Sequence, residues 1–208
     1  GNLMTPPAAS GQVLAPEARI LEIAAAHLRR VGPKRVTIVE IAESAGMSHA
    51  NVYRYFPSKA ALLDEVTAAW LRPLEAEVRV IAESPDPAPD KLERILYAVH
   101  RSYREKLERD PVLFRLLVQA SEANSGVSRK HRGKLQGAVQ RTIEEGFSQG
   151  SFTTVDMRKA LALVFDLMHR FTHPAAIGLD AEAPRPAVDA RAARVSRLVL
   201  QALATGRY

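Results

Sequence analysis

An all-α fold is predicted by three observations. Apolar residues recur at spacings of three and four along nearly every segment. No segment alternates apolar and polar residues in the way a half-buried strand does. Capping residues and helix stops punctuate the periodic segments. The expected plan is about nine helices: a small three-helix unit, a linking helix, and a larger helical domain of about five.

The first helix should span residues 16 to about 30. Ile20, Ile23, Ala24, His27, Leu28 and Val31 share one face, and Gly32-Pro33 stops the run. Thr37, with Glu40 three residues on, reads as a capping box for "IVEIAESAG", and Gly46 keeps that second helix short. Ser48 caps a third short helix ending at Tyr55, because Pro57 restricts the residue before it. Ser58 caps a fourth that begins "KAALLDEV" and runs to about residue 83, with a kink or break expected at Pro73. "SPDPAPD" (84–90) reads as a linker. Four further helices are expected over 91–109, 112–124, 128–149 and 155–173, with Pro111 at the first position of the second. "THPAAIGLDAEAPRP" reads as a loop before a last helix at 187–205. Residues 1–15 lack a basic start followed by an apolar stretch, and are expected to be a disordered tail rather than a signal peptide.

Composition narrows the function. There is no Cys, which excludes a disulfide framework, a thiol nucleophile and a thiolate metal site, and suits a reducing cytoplasm. No apolar run approaches the roughly 18 to 20 residues of a membrane span, so no membrane partner is expected. A net charge of +6 favours a polyanionic partner. Aromatics are only 6% of the chain, so the three that crowd into "GMSHANVYRYFPSKAALL" carry information.

That stretch has the form of a helix-turn-helix. Gly46 permits the positive φ of the turn, and Ala42 is small where the helices cross. If Val52 and Phe56 point to a core with Ile38, Ile41 and Leu28, then His49, Ala50, Asn51, Tyr53 and Arg54 face outward. Such a face can enter a major groove, with tyrosine hydroxyls and Lys59 gripping phosphates at its edge. Residues 16–60 hold seven Lys/Arg against four Asp/Glu, a net of +3.

From about residue 16 to 66 the chain resembles the TetR family of bacterial transcriptional repressors. "VTIVEIAESAGMSHANVYRYFPSKAALLDEV" carries the family's Thr, Ile-Ala, Ala-Gly, recognition-helix tyrosine, Tyr-Phe, Lys and Leu-Leu. The rest of the chain is similar to the family in length and helicity only. The resemblance implies a DNA-binding domain at 16–60 and a ligand-binding and dimerisation domain at 61–208. It implies a homodimer that binds palindromic double-stranded operator DNA and releases it when an unidentified small molecule enters the C-terminal domain. Carried over by position, Thr37 caps the second helix and touches a phosphate, and His49, Ala50 and Asn51 face bases. Tyr53, Tyr55 and Lys59 hold the backbone and Arg54 does either, with the cap Ser48 beside them.

Outside this unit the expectations are coarser. Tyr97, His100, Tyr103, Phe114, Leu117, Phe147 and Phe165 are the candidate walls of a ligand pocket. Leu161, Val164, Phe165 and Met168, with Val195, Leu198, Val199 and Ala202, are the apolar faces expected to pair two protomers in a four-helix bundle. "RKHRGK" (129–134) is the densest basic run; a nucleic-acid patch or docking surface is open, and a solvated helix start is favoured. Asp166, His169 and His173 lie on one helical face, read as polar lining of a pocket or dimer seam rather than a metal site. No catalytic motif stands out and no cofactor is expected, so the chain is read as a non-enzyme. The competing reading is a helical small-molecule-binding protein or enzyme that does not bind DNA.

Overall fold

The computed structural model describes residues 14–208. The expected tail therefore lies outside the described residues, except Leu14 and Ala15, the latter being the N-cap of the first helix. Among the described residues there are ten α-helices, one 3₁₀ turn and no strand, as the periodicity requires. No helix among them is long and apolar enough to cross a membrane.

The described residues divide into two compact units, one ending at Val66 and the other beginning at Thr67. The first contains α1 (Pro16–Val31), α2 (Ile38–Ala45), α3 (His49–Tyr55) and the opening turns of α4 (Lys59–Glu83). Its buried residues include Ile20, Ala24, Leu28, Ile38, Ile41, Ala42, Val52 and Phe56. These are the positions that the three-and-four spacing selects. His27 joins them, its Nε2 lying 2.9 Å from the Ser44 hydroxyl.

The second unit holds the rest of α4 with α5 (Ala88–Arg109), α6 (Pro111–Glu122), α7 (Gly126–Gln149), α8 (Met157–Thr172), α9 (Pro174–Ile177) and α10 (Arg185–Thr205). α5 is central and packs against α6, α7, α8 and α10. One continuous core joins Leu71 and Leu74 of α4 to Leu92, Ile95 and Leu96 of α5, Ile143 of α7, Val164 of α8 and Val199 of α10.

Five sequence expectations are corrected here. α4 runs unbroken through Pro73, which is exposed, so water can satisfy the carbonyl that loses its N–H partner. The linker is shorter than expected, because α5 starts at Ala88 with Pro89 in its first turn. α10 likewise starts at Arg185 with Pro186 in its first turn. First-turn N–H groups have no helical partner, so a proline there costs nothing. The loop after α8 also contains α9, and α7 starts at Gly126, capped by Ser125, rather than at residue 128.

Buried cations pin the connections. Lys91 is 2% exposed; its ammonium donates to the carbonyls of Ala82 and Ser84, each at 3.0 Å, and pairs with Glu145. Arg104 donates to the carbonyls of Asp180, Ala181 and Ala183, stapling the turn before α10 onto α5. Asp180 accepts from Arg170 and Arg191 in turn. Hydrogen bonds from Arg170, reinforced by Arg191, overcome its burial and hold its carboxyl down at about 2.

Candidate nucleic-acid interface and ligand cavity

The turn between α2 and α3 is built from side-chain caps and one glycine. The Thr37 hydroxyl accepts the Glu40 N–H at 3.2 Å and starts α2. Gly46 ends it in the left-handed region, at φ 67° and ψ 33°, and Met47 N–H closes back on the Ala42 carbonyl at 2.9 Å. A side chain at Gly46 would meet no neighbour, so the conformation alone calls for glycine. The Ser48 hydroxyl then accepts the Asn51 N–H at 3.2 Å and starts α3.

α3 is seven residues long, and among them only Val52 is buried. His49, Ala50, Tyr53, Arg54 and Tyr55 are exposed, and Asn51 is half-buried. Tyr53 keeps 47% of its surface open, unusual for a large aromatic without a partner. Thr37 and Ser48 are exposed at the two helix starts. Lys59 is half-buried at the first position of α4, where the Ser58 hydroxyl accepts the Ala61 N–H at 3.1 Å. The face therefore offers an imidazole, an amide, a guanidinium and two phenol hydroxyls. Those groups can bond base edges and phosphate oxygens.

In the second unit a cavity of about 130 Å³ opens among α5, α6, α7 and α8 and the start of α9. Tyr103, Leu117 and Phe165 from the expected pocket set line it. The other four do not. Phe114 is core at 3% exposure, Phe147 packs against the core, and Tyr97 and His100 border a separate cavity of about 80 Å³. His100 is fixed there, with Nδ1 2.9 Å from the Phe171 carbonyl and Nε2 2.9 Å from Asp189.

Polar side chains that sequence reasoning did not assign to the cavity complete its lining, among them Ser121, Ser128, His131 and Thr172. His131 sits inside the "RKHRGK" run, yet it is 5% exposed while the cations of that run are exposed. The run is therefore a solvated helix surface with one inward histidine. That histidine bonds the Tyr103 hydroxyl through Nε2 and Glu75 through Nδ1, both at 2.7 Å. Lys134 donates to the other Glu75 oxygen at 3.1 Å. Burial pushes the Glu75 carboxyl up, but the hydrogen bonds and charges of His131 and Lys134 outweigh it and hold it below its ordinary range. Burial holds His131 below its ordinary value despite Glu75, and pushes the Tyr103 phenol well up. His169 and His173 also line the cavity, with ring centres 4.5 Å apart. Asp166 is exposed, and among the described residues no three acidic or histidine side chains are grouped to hold a metal.

On the far side of Glu75 and Lys134 lies an open groove of about 570 Å³ between α4 and α7, edged by Arg72, Arg79 and Arg141.

The expected dimer faces divide as well. Val164, Met168 and Val199 are at most 1% exposed inside the chain's own core and cannot line a surface. Leu161, Phe165, Val195 and Ala202 are half-buried, and Leu198 is 58% exposed. Leu167, outside the expected set, is the other open leucine of these two helices, at 43%.

Comparison with known proteins agrees with this architecture. A family model described as bacterial regulatory proteins, tetR family, matches residues 20–66. A second, described as the tetracyclin repressor-like C-terminal domain, matches residues 88–196. The HTH-type transcriptional repressor KstR2 of Mycobacterium tuberculosis is 32% identical over 89 residues, covering 43% of this chain and 44% of that protein. A putative TetR-family regulator from Mesorhizobium loti superimposes with a TM-score of 0.68 at 18% identity, over 89% of this chain and 95% of its own. FadR of Bacillus subtilis, solved with stearoyl-CoA, superimposes with a TM-score of 0.61 at 17% identity, over 92% of this chain and 99% of its own.

Proposed function

The chain belongs to the TetR family of transcriptional regulators, with a DNA-binding and a ligand-binding domain, and we propose that it is a ligand-relieved repressor that binds a palindromic operator as a homodimer. The observation that carries this reading is the exposure of His49, Ala50, Tyr53 and Arg54 on a seven-residue helix whose start Ser48 caps, after a turn that Gly46 permits. Residues 16–60 form the reading unit. Thr37, Ser48, Tyr53, Tyr55 and Lys59 hold the backbone, His49, Ala50 and Asn51 face bases, and Arg54 does either. An Asn side chain matches adenine through two hydrogen bonds, and the Ala50 methyl can meet a thymine methyl.

Residues 61–208 supply dimerisation and the ligand site. The two-fold seam uses the open apolar residues of α8 and α10, Leu167 and Leu198, flanked by the half-buried Leu161, Val195 and Ala202. A two-fold axis sets the reading helices about 34 to 36 Å apart, one turn of DNA, and makes the operator near-palindromic. The work is done in the cytoplasm, on double-stranded operator DNA.

The cavity at Tyr103 is the ligand site. The Bacillus subtilis structure shares the fold at 17% identity, and a shared fold does not carry its ligand over. α4 belongs to both units and is the covalent route between cavity and reading helix. A ligand that prefers the non-reading state lowers DNA affinity by the same coupling free energy, typically ~1 to 3 kcal/mol.

The test is selection of bound duplexes from a random pool, followed by sedimentation of the complex. Recovery of a palindrome with one dimer per site is expected. Salt-independent binding, or no enrichment of any sequence, would sink the reading in favour of a helical small-molecule-binding protein.

A further inference from the structure

The hydrogen bonds around the cavity dictate what kind of ligand it accepts. Glu75 is a carboxylate and can only accept, so the proton between it and His131 belongs to Nδ1 of the imidazole. Nε2 of the neutral ring is then an acceptor, and the Tyr103 hydroxyl must donate to it. The single Tyr103 proton is thus spent on His131, which leaves the phenol oxygen of this lining residue as an acceptor. At the other side, His173 Nδ1 accepts the Ala175 N–H at 3.1 Å, so the neutral ring carries its proton on Nε2. Burial, with His169 and Arg132 beside it, disfavours a second proton there. The Thr172 hydroxyl is likewise spent on the Met168 carbonyl, at 2.9 Å. At Tyr103 and His173 the lining sets an acceptor against a neutral donor, a combination that a hydroxyl group satisfies at both ends; the Ser121 and Ser128 hydroxyls and the Gln136 amide beside them can donate or accept.

Size and walls restrict the remainder. A cavity of about 150 Å³ holds one benzene ring, and this one measures about 130 Å³ with Leu117, Leu135 and Phe165 among its walls. We propose that it binds a neutral single-ring phenol, whose hydroxyl donates to the Tyr103 oxygen and whose ring packs on those three side chains. This rests on the cavity being the ligand site of the regulator described above. A phenol is a stronger donor than an aliphatic alcohol. A carboxylate is disfavoured, because it would meet a lone pair on Tyr103. Drawing the tyrosine proton to itself would leave His131 Nε2 buried without a partner. Arg132, which also lines the cavity, is exposed to water, which screens its attraction for an anion.

The experiment is calorimetric titration of the full chain, without DNA, using phenol, toluene, cyclohexanol and benzoate. Phenol is expected to bind about tenfold or more tightly than toluene, with cyclohexanol weaker than phenol and benzoate not detected. In Tyr103→Phe, phenol should fall to the level of toluene, while retained toluene binding reports that the fold is intact. Ser121→Phe, which fills part of the cavity without touching the relay, should abolish binding of both. Benzoate or cyclohexanol binding as well as phenol overturns the proposal, as does a phenol advantage that survives Tyr103→Phe. Operator release is read separately. Phenol binding without release counts against the repressor reading and leaves the ligand class standing, whereas release by another ligand with no phenol binding does the reverse.

Discussion

The ring of Phe152 occupies the place where a side chain on Gly146 would be, since a Cβ there would stand 2.1 Å from the phenylalanine Cδ2. Phe152 is 2% exposed and its N–H donates to the Gly146 carbonyl at 3.0 Å, so ring and helix are locked together. Gly146→Ala should destabilise the protein by about 1 to 3 kcal/mol through overpacking, although alanine is the better helix former. A denaturant midpoint unchanged or raised would show that the ring can move aside.

Gly137, on the same helix, predicts the opposite sign. It lies within α7 with nothing near its missing Cβ. Gly137→Ala should therefore stabilise by about 0.5 to 1 kcal/mol, the usual helix-interior difference. Chemical denaturation of the two variants side by side checks the contrast.

Asn51→Ala should relax base preference at one operator position, at a loss of ~1 to 3 kcal/mol on the preferred sequence. Lys59→Ala should weaken all sequences about equally and lower the salt slope by ~1. Binding isotherms on operator and scrambled duplexes at several salt concentrations separate the two. Uniform loss for Asn51→Ala would remove it from the base readers.

Lys91 holds two carbonyls at the end of α4 and the Glu145 carboxylate from beneath the surface. Lys91→Met keeps the stem and removes the donors, and should cost roughly 2 to 3 kcal/mol. Adding Glu145→Gln should return part of that loss, because the carboxylate left with only Arg141, at 3.6 Å, is removed. A double-mutant cycle by urea denaturation measures it.

Acid should unfold the C-terminal unit in stages. His131 and His173 are held below the ordinary 6.5, so the unfolded chain takes up their protons first. Their contribution is complete above pH 6.5 and falls away as pH drops through their folded values. Glu75 is also held below its ordinary 4.5, and Asp180 is held down from 3.8 to about 2. Their contribution is lost in a second stage below pH 4.5, continuing to about 2. Urea midpoints measured from pH 8 to 3 should be flat at first and fall in two steps. His131→Gln should shrink the upper step.

The helix-turn-helix was legible because each of its determinants acts within a few residues. Thr37, Ser48 and Ser58 cap the residues three positions on, and Gly46 closes its own turn. Helix starts were less legible where proline was involved. Pro89 and Pro186 look like stops in one dimension but sit in first turns, where no N–H is required. The dimer faces were misread at Val164, Met168 and Val199, because the most apolar stripe of a helix is the one its own core takes.

The cavity at Tyr103 was the least legible part. His131 lies in a run of cations that sequence alone assigns to solvent, and its partner Glu75 is 56 residues away. The sequence by itself determined the helices, their caps, the reading turn and its outward side chains, because those depend on periodicity and on bonds spanning three or four residues. Only the tertiary structure decided which histidine turns inward, where Tyr103 spends its proton and which apolar face remains open. Each of those depends on a buried partner brought from a distant helix, and no local pattern encodes it.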